Sequence, residues 1–304
     1  MNLSDLHALL KENHRRLVVA TRSPTGLPHI AAELAVHWHA DHLYFLKVPN
    51  SLSEQNLRAV PEIAISVIDW AQRRGYQIKG IASVEDAASL AEPAARTQWL
   101  QMQARGCTSL IKVKIHEVYD IAPKSLIPKP LWDSASAWIV TPPSLPFQTP
   151  TLENKTLPAQ VLQSVEKLHH ANLAAGIPSF VATIDDRGIP NVSPRFFLDC
   201  NAQYWLYGDA FRNKTYRNAG RPSPLVVGMF DWHNLTGYVA RGWVKNHFTG
   251  ELLVQVRQKW TEMGFRNEAL QAVTFHPGDL FQVQVGPRQL AAQNYELAQW
   301  FGRS

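Results

Sequence analysis

Two twelve-residue stretches of this chain share five residues at the same spacing. DWAQRRGYQIKG occupies residues 69–80 and DWHNLTGYVARG occupies residues 231–242, so each shared residue recurs 162 positions later. The same displacement aligns further short matches along the chain: Leu6 with Leu168, Val19–Thr21 with Val181–Thr183, Asn56 with Asn218, and Ile121 with Val283. Because chance matches would not keep one interval over such a distance, the pattern indicates a duplicated domain.

Within each half, the apolar residues recur mostly with the period of β-strands. Runs such as LVVATR at residues 17–22 and LYFLKV at residues 43–48 are rich in β-branched and aromatic residues, and turn sequences separate them. Short helices are expected at residues 51–60 and around residues 88–104. About six strands without regular strand–helix alternation predict a small antiparallel barrel in each half, in a mainly β (α+β) chain with short flanking helices.

Composition marks the boundary between the repeats. Residues 141–158, TPPSLPFQTPTLENKTLP, are rich in proline and lack periodicity, which predicts an extended linker. The first domain is therefore expected over residues 1–140 and the second over residues 159–304. No apolar run approaches the ~20 residues of a transmembrane helix, and the first residues are too polar for a secretory signal. A soluble cytoplasmic protein without a membrane partner is expected.

The charge of the chain restricts the class of ligand. The 30 basic residues are offset by 25 acidic residues, and there is no long basic run, so nucleic acid is not expected as a partner. A small phosphorylated ligand would need only two or three well-placed cations. The two cysteines, Cys107 and Cys200, are isolated in the sequence and are expected to be reduced structural thiols.

Histidines cluster once, in the sequence HWHADH at residues 37–42. His37 and His39 would share one face of a strand, which is compatible with a metal or haem site. The segment is also typical of a hairpin tip, and the second repeat has no histidine at the matching positions. A polar hairpin tip is the preferred interpretation, and no metal site is expected.

The repeated elements resemble a known family. Each half has Gly-x-Pro after its first strand, then an asparagine at a helix end, then Gly-Tyr-x-x-x-Gly; the first-half residues are Gly26, Pro28, Asn56, Gly75, Tyr76 and Gly80. Over residues 5–122 and 167–285 this order resembles the FMN-binding split-barrel family of the pyridoxamine 5′-phosphate oxidase type. The resemblance implies FMN as the cofactor and flavin sites between two barrels. We therefore expect two tandem split β-barrels packed as an intrachain pseudo-dimer, which leaves room for further homo-oligomerisation.

The two halves differ where the family holds the FMN phosphate. The resemblance implies an arginine on the strand after Gly-x-Pro and a basic cluster at the next strand-to-helix turn. The matching second-half residues are Arg195, Arg212, Asn213, Lys214, Thr215 and Arg217. Their first-half counterparts are Glu33, Asn50, Ser51, Leu52, Ser53 and Gln55. Only the second half keeps the cations, so one phosphate site and one FMN per chain are expected.

Helix capping supports the same contrast. Ser51 followed by Glu54 fits a capping box, in which the helix start satisfies its own N–H groups. In the second half the cap position is Asn213, and the N–H groups and the helix dipole remain available to a phosphate. The alternative is that Arg195 and Lys214 are solvated surface cations. The repeated Trp70 and Tyr76 are more typical of barrel-core and hairpin positions than of flavin neighbours.

These features predict an FMN-dependent oxidoreductase that acts on a small organic substrate or a reduced nicotinamide, because a flavin brings its own redox chemistry. No Ser-His-Asp order, glycine-rich phosphate loop or zinc spacing is present, so no catalytic residue is assigned. The alternative is a non-catalytic protein that holds flavin or haem in the cleft between the barrels. A third interpretation, a scaffold that has lost its site, is favoured if Arg195 turns inward to a structural carboxylate.

Overall fold

Two β-sheets of seven strands each make up the molecule, with short helices beside them. The computed structural model describes residues 3–12, 16–47, 51–70, 72, 74–85, 93, 96–97, 100, 109–121, 130–134, 159–211, 213–219 and 224–284. The first-half elements are α1 (Leu3–Glu12), β1 (Arg16–Arg22), β2 (Pro28–His39), β3 (His42–Lys47), α2 (Leu52–Ala59), β4 (Glu62–Asp69), β5 (Arg74–Glu85), β6 (Ser109–Asp120) and β7 (Trp132–Asp133). The second-half elements are α3 (Ala159–Ala174), β8 (Ser179–Ile184), β9 (Pro190–Arg195), β10 (Phe197–Cys200), β11 (Trp205–Asp209), α4 (Lys214–Ala219), β12 (Leu225–Asp231), β13 (Thr236–His247), α5 (Glu251–Glu262) and β14 (Gln271–Gln284). None of the described helices combines the length and the apolar character needed to cross a membrane.

The first sheet closes on itself. Its strands follow the order β3-β2-β1-β4-β5-β6-β7, and β3 also pairs with β6, so six antiparallel strands form a closed barrel. Strand β7 pairs with the outer part of β6. The barrel interior is filled by buried aliphatic and aromatic side chains, among them Leu17, Val19, Phe45, Ile63, Ile78 and Val113. Helix α1 covers this core with Leu6 and Leu9.

The second sheet has the same cyclic strand order but is open at one place. It runs β10-β11-β14-β13-β12-β8-β9, and a displacement of 162 residues superimposes these strands in sequence on β1 to β6. The strand that corresponds to β2 is interrupted at Phe196, so β9 and β10 become the two edges of the sheet. The expectation of two tandem split barrels in a mainly β chain is confirmed.

Two glycines of the duplicated motif occupy the same β-bulge in the two halves. The strand register shifts next to Gly80 and next to Gly242. A Cβ atom on either glycine would collide with a carbonyl oxygen of the neighbouring strand, that of Lys114 or that of His276. Since only glycine allows this approach, the bulge explains why the same residue recurs.

The two barrels share a hydrophobic core. Strand β1 alternates, so that Leu17 and Val19 point into the first barrel while Val18 and Ala20 point toward the second half. The shared core also contains Ile30, Ala32, Ala64 and Ile68 from the first half and Phe180, Ala182, Val192, Val226, Phe230 and Trp232 from the second. The halves thus pack against each other as the expected intrachain pseudo-dimer.

Equivalent tryptophans meet within this interface. The ring centroids of Trp70 and Trp232, which occupy the same position in the two repeats, are 6.0 Å apart. A contact between equivalent residues places them beside the pseudo-two-fold axis. The guanidinium of Arg16 lies 5.8 Å and 5.7 Å from the two ring centroids. Trp70 is therefore an interface residue, whereas Tyr76 packs against the core of the first barrel, as expected.

The remaining sequence interpretations concern loops and thiols. His39 and His42 pair at the end of the β2–β3 hairpin, which agrees with a hairpin tip. Among the described residues, no group of three or more histidine, cysteine or acidic side chains is arranged to hold a metal. Cys200 is a buried free thiol whose pKa is raised by burial. Cys107, the linker at 141–158 and most of the helix expected around 88–104 lie outside the described residues.

Candidate functional site

The expected phosphate-binding segment forms the start of helix α4. Asn213 caps this helix, since its Oδ1 accepts a hydrogen bond from the backbone N–H of Tyr216 at 3.0 Å. In the first half, Ser51 Oγ accepts from the backbone N–H of Glu54 at 3.3 Å. Both helices therefore begin where the sequence predicts.

The other residues of the segment differ in their burial and in their contacts. Thr215 is buried, and its hydroxyl accepts a hydrogen bond from Asn191 Nδ2 at 3.0 Å and lies 2.6 Å from Ser193 Oγ. Arg217 is exposed, and Arg212 lies outside the described residues. Thr215 thus fixes α4 to strand β9, and its hydroxyl is already engaged within the protein.

Arg195 is turned toward the protein. Its Nε lies 2.9 Å from Asp209 Oδ1, and the Asp209 side chain is 2% exposed. Nη1 donates to the carbonyl of Pro194 at 2.8 Å, and Nη2 donates to Asn213 Oδ1 at 3.3 Å. Nε makes an ion pair with Asp209 but no well-aligned hydrogen bond, and both Nη atoms donate to the protein, so Arg195 supports the start of α4. This inward pairing is the arrangement that favours a scaffold without a site.

Lys214 lies at the interface between the barrels. Its Nζ is 3.6 Å from the ring centroid of Tyr119, a buried residue on strand β6 of the first barrel. Burial, followed by the nearby positive charge of Lys79, lowers the pKa of Lys214 to about 7. Lys214 is therefore not a solvated surface cation.

A second lysine reaches the same region from the first barrel. Lys79 on strand β5 is fully buried, and no described residue accepts a hydrogen bond from its Nζ. Burial lowers the pKa of Lys79 to about 8, although the carboxylates of Asp185 and Glu117 act in the opposite direction. Sequence reasoning missed Lys79 because it lies inside a strand motif. The available signal was Arg241, which keeps a cation at the equivalent position of the second repeat.

Lys79, Lys214, Tyr119 and Glu117 form what we call the lysine cluster. The Tyr119 hydroxyl donates to Glu117 Oε2 at 2.6 Å, and burial with this bond raises the pKa of Tyr119. No described carboxylate lies within ion-pair distance of either lysine nitrogen. Burial lowers the pKa of both lysines, and the charge of Lys79 lowers that of Lys214 further, so the cluster is a site whose chemistry suits an anion.

The equivalent place in the other barrel has a different composition. Glu33 and Lys47 form a buried ion pair at the positions of Arg195 and Asp209. Leu52 stands at the position of Lys214, so this side has one lysine fewer at its helix start. The expected loss of cations from the first-half helix start is seen in the structure, but Lys47 adds a cation that the sequence comparison overlooked.

The family model described as pyridoxamine 5′-phosphate oxidase matches residues 3–122. No curated protein matches the sequence significantly. The solved structures that resemble part of the chain include HupZ of Group A Streptococcus, with 19% identity over 41% of this chain and 94% of that chain and a TM-score of 0.36. A pyridoxamine 5′-phosphate oxidase-related, FMN-binding protein from Nostoc punctiforme is 16% identical over 38% of this chain and 81% of its own, with a TM-score of 0.33.

An F420 reductase is 21% identical, over 37% of this chain and 94% of its own, with a TM-score of 0.30. Likenesses of this size add no residue assignments. The first barrel, residues 3–122, is similar to the pyridoxamine 5′-phosphate oxidase family.

Proposed function

We propose that this protein binds one FMN between its two barrels, with the phosphate on Lys79 and Lys214, and acts as a flavin-dependent oxidoreductase. The substrate would be a small organic molecule or a reduced nicotinamide. The observation that carries the proposal is the proximity of the fully buried Lys79 and the half-buried Lys214, neither of which forms an ion pair with a described carboxylate. The family supplies the identity of the anion.

The charges in the lysine cluster fit a phosphate dianion. Each protonated lysine would donate a charge-assisted hydrogen bond, which contributes about 1.5–3 kcal/mol. A bound dianion would also remove the repulsion between the two ammonium groups, so both would remain protonated at neutral pH. Lys214 comes from the second barrel and Lys79 from the first, so a ligand held by both also joins the halves.

The other expected site residues take supporting roles in this proposal. Arg195 holds Asn213, which caps α4 and so fixes the backbone from which Lys214 extends. Thr215 ties the first turn of the same helix to strand β9. Tyr119 packs its ring against the Lys214 ammonium. When bound, the flavin would supply the hydride or electron transfer, and these residues would hold and orient its phosphate end.

Titration of the apo-protein with FMN tests the binding step. We expect a stoichiometry of one per chain, and Lys79→Gln or Lys214→Gln should each weaken FMN binding roughly 10- to 150-fold. Riboflavin lacks the phosphate and should be insensitive to both changes. Lys114→Gln is a matched control, because Lys114 is an exposed lysine on the same strand as Tyr119. Equal losses for FMN and riboflavin would show that the two lysines do not contact the phosphate.

The oxidoreductase step has its own test. The FMN-loaded protein should be bleached anaerobically by NADH or NADPH, measured as the loss of flavin absorbance. A flavin that stays oxidised with both donors and with small reduced organic substrates would favour the non-catalytic alternative. Failure to bind FMN at all would instead support the scaffold interpretation, toward which the inward pairing of Arg195 points.

A further inference from the structure

The first-half counterpart of the lysine cluster exposes apolar side chains. Leu52 and Phe281 occupy the positions of Lys214 and Tyr119, and they are 40% and 43% exposed. In the lysine cluster the equivalent side chains are in contact across the interface. The pseudo-symmetry therefore brings Leu52 of the first half and Phe281 of the second half to facing positions, where they would present an apolar surface to a ligand.

A cation lies beside this apolar surface. Arg241 stands at the position of Lys79, and its guanidinium is 5.1 Å from the ring centroid of Phe281. The Nε atom is buried, and no described residue accepts a hydrogen bond from it. Asp279 is the cross-strand neighbour of Arg241, but no described carboxylate forms an ion pair with the guanidinium. Arg241 thus keeps donors for an anion.

Two further polar groups near Arg241 have lost the hydrogen bond that the other half retains. In the second half, Asn191 donates to Thr215 at 3.0 Å. The equivalent residues are His29 and Ser53, and His29 Nδ1 and Ser53 Oγ are both buried without a hydrogen-bond partner among the described residues. Buried polar atoms are nearly always satisfied, by the protein or by something bound to it. This pair is therefore open to an ordered water or to a ligand.

The charge of the region limits the ligand to a monoanion. Lys47 is paired with Glu33, so Arg241 is the cation left for a ligand. Burial and the positive charges of Lys47 and Arg241 lower the pKa of His29 to about 3, so this imidazole is neutral at physiological pH. The Glu33–Lys47 pair adds no net charge, so a phosphate dianion would meet one cation, whereas a carboxylate matches a single guanidinium in charge and in geometry.

We propose that the site formed by His29, Leu52, Ser53, Arg241 and Phe281 binds a small aromatic carboxylate. Its carboxylate lies on the Arg241 guanidinium, with His29 and Ser53 completing the hydrogen bonds. Its ring packs between Leu52 and Phe281. None of these residues belongs to the lysine cluster, so the proposal stands independently of FMN binding.

Fluorine NMR of the full-length protein tests this assignment, with 4-fluorobenzoate as the probe. We expect saturable binding by the wild-type protein and no saturable binding of the neutral analogue 4-fluorobenzamide. Arg241→Gln should weaken 4-fluorobenzoate binding by about tenfold or more, the loss typical of a charge-assisted contact. Phe281→Ala changes a partly exposed side chain that is not part of a barrel core, so it should weaken binding while leaving the fold intact. Lys114→Gln controls for the loss of a distant positive charge.

Three results would overturn the proposal. The first is no saturable binding of 4-fluorobenzoate to the wild-type protein. The second is equal binding of the benzamide, or binding that survives both Arg241→Gln and Phe281→Ala. The third is a second FMN per chain that displaces 4-fluorobenzoate, because this would make the site a flavin site.

Discussion

The two barrels contain the same buried ion pair with its charges exchanged. Glu33 and Lys47 bridge strands β2 and β3 in the first barrel, and Arg195 and Asp209 bridge β9 and β11 at the equivalent positions of the second. The attraction within a pair does not depend on which strand carries the cation. Both barrels therefore keep a buried ion pair at this place, but the strand that carries the cation differs between them.

The direction matters for the helix start beside the pair. In the second barrel the cation is on the strand next to α4, and Arg195 holds the cap residue Asn213. In the first barrel a carboxylate takes that position, and Ser51 caps α2 with no arginine beside it in the equivalent place. An exchange that is neutral for the fold thus gives the two interface sites different electrostatic surroundings.

The largest effect on stability is expected from replacing one residue of each buried ion pair. Lys47→Met leaves the buried Glu33 carboxylate without its partner, and Asp209→Asn leaves the Arg195 guanidinium without its carboxylate. Each change should lower the free energy of unfolding by about 3–5 kcal/mol. Urea unfolding followed by circular dichroism measures both. The double changes Glu33→Met/Lys47→Met and Arg195→Met/Asp209→Leu should return to within about 1 kcal/mol of the wild type. If the single changes lowered stability no more than changes in an exposed ion pair, such as Lys259 with Glu262, the two buried pairs would not share a structural role.

A smaller effect is expected from pH on FMN binding. The pKa values of Lys214 and Lys79 in the free protein are about 7 and about 8, and a bound phosphate would raise both. FMN affinity should therefore begin to fall near pH 7, as Lys214 loses its proton in the free protein, and fall more steeply above pH 8, by up to about tenfold per pH unit for each proton taken up.

Dissociation constants from flavin fluorescence between pH 6.5 and 9.5 would measure this loss, with riboflavin as the phosphate-free reference. The stability of the apo-protein should rise with pH, whereas the FMN affinity falls. Its lysine pKa values are lowered from 10.5, so the unfolded chain binds more protons and stability rises between pH 7 and 10.5. An FMN affinity that rises with pH would exclude the protonated lysines as phosphate ligands.

The smallest effect is expected at the two helix caps. Ser51→Ala and Asn213→Ala each remove an N-cap acceptor and should cost about 1 kcal/mol of unfolding free energy. Only Asn213→Ala also removes a partner of Arg195, so it alone should weaken FMN binding. Thermal unfolding and FMN titration of the two variants provide the comparison. If Ser51→Ala weakened FMN binding equally, the two helix starts would not differ in function.

Much of the fold could be predicted because the repeat is a local pattern. The interval of 162 residues located the strands of the second barrel, and the capping pattern located the starts of α2 and α4. The interruption at Phe196 was not predicted, although Pro194, two residues earlier, lacks the backbone N–H that an interior strand needs.

The candidate site was less accessible to sequence reasoning because its residues meet across strands and across the barrels. In the sequence Arg195 looks like a free cation, whereas in the fold Asp209 at the end of β11 lies beside it. In the sequence, Lys79 looks like an ordinary strand residue; its burial becomes apparent only in the structure, where the second barrel covers it. Burial and non-local pairing decide the availability of both charges, and neither follows from spacing along the chain.

The shared core between the barrels, with Trp70 against Trp232, has a consequence for how the assembly depends on dilution. Two separate chains associated through such a surface would come apart below their dissociation constant. A peptide connection turns this association into an intramolecular step governed by an effective concentration, which short flexible tethers place in the millimolar range. The interface sites then exist in every molecule at any expression level, and each barrel can acquire substitutions that the other does not share.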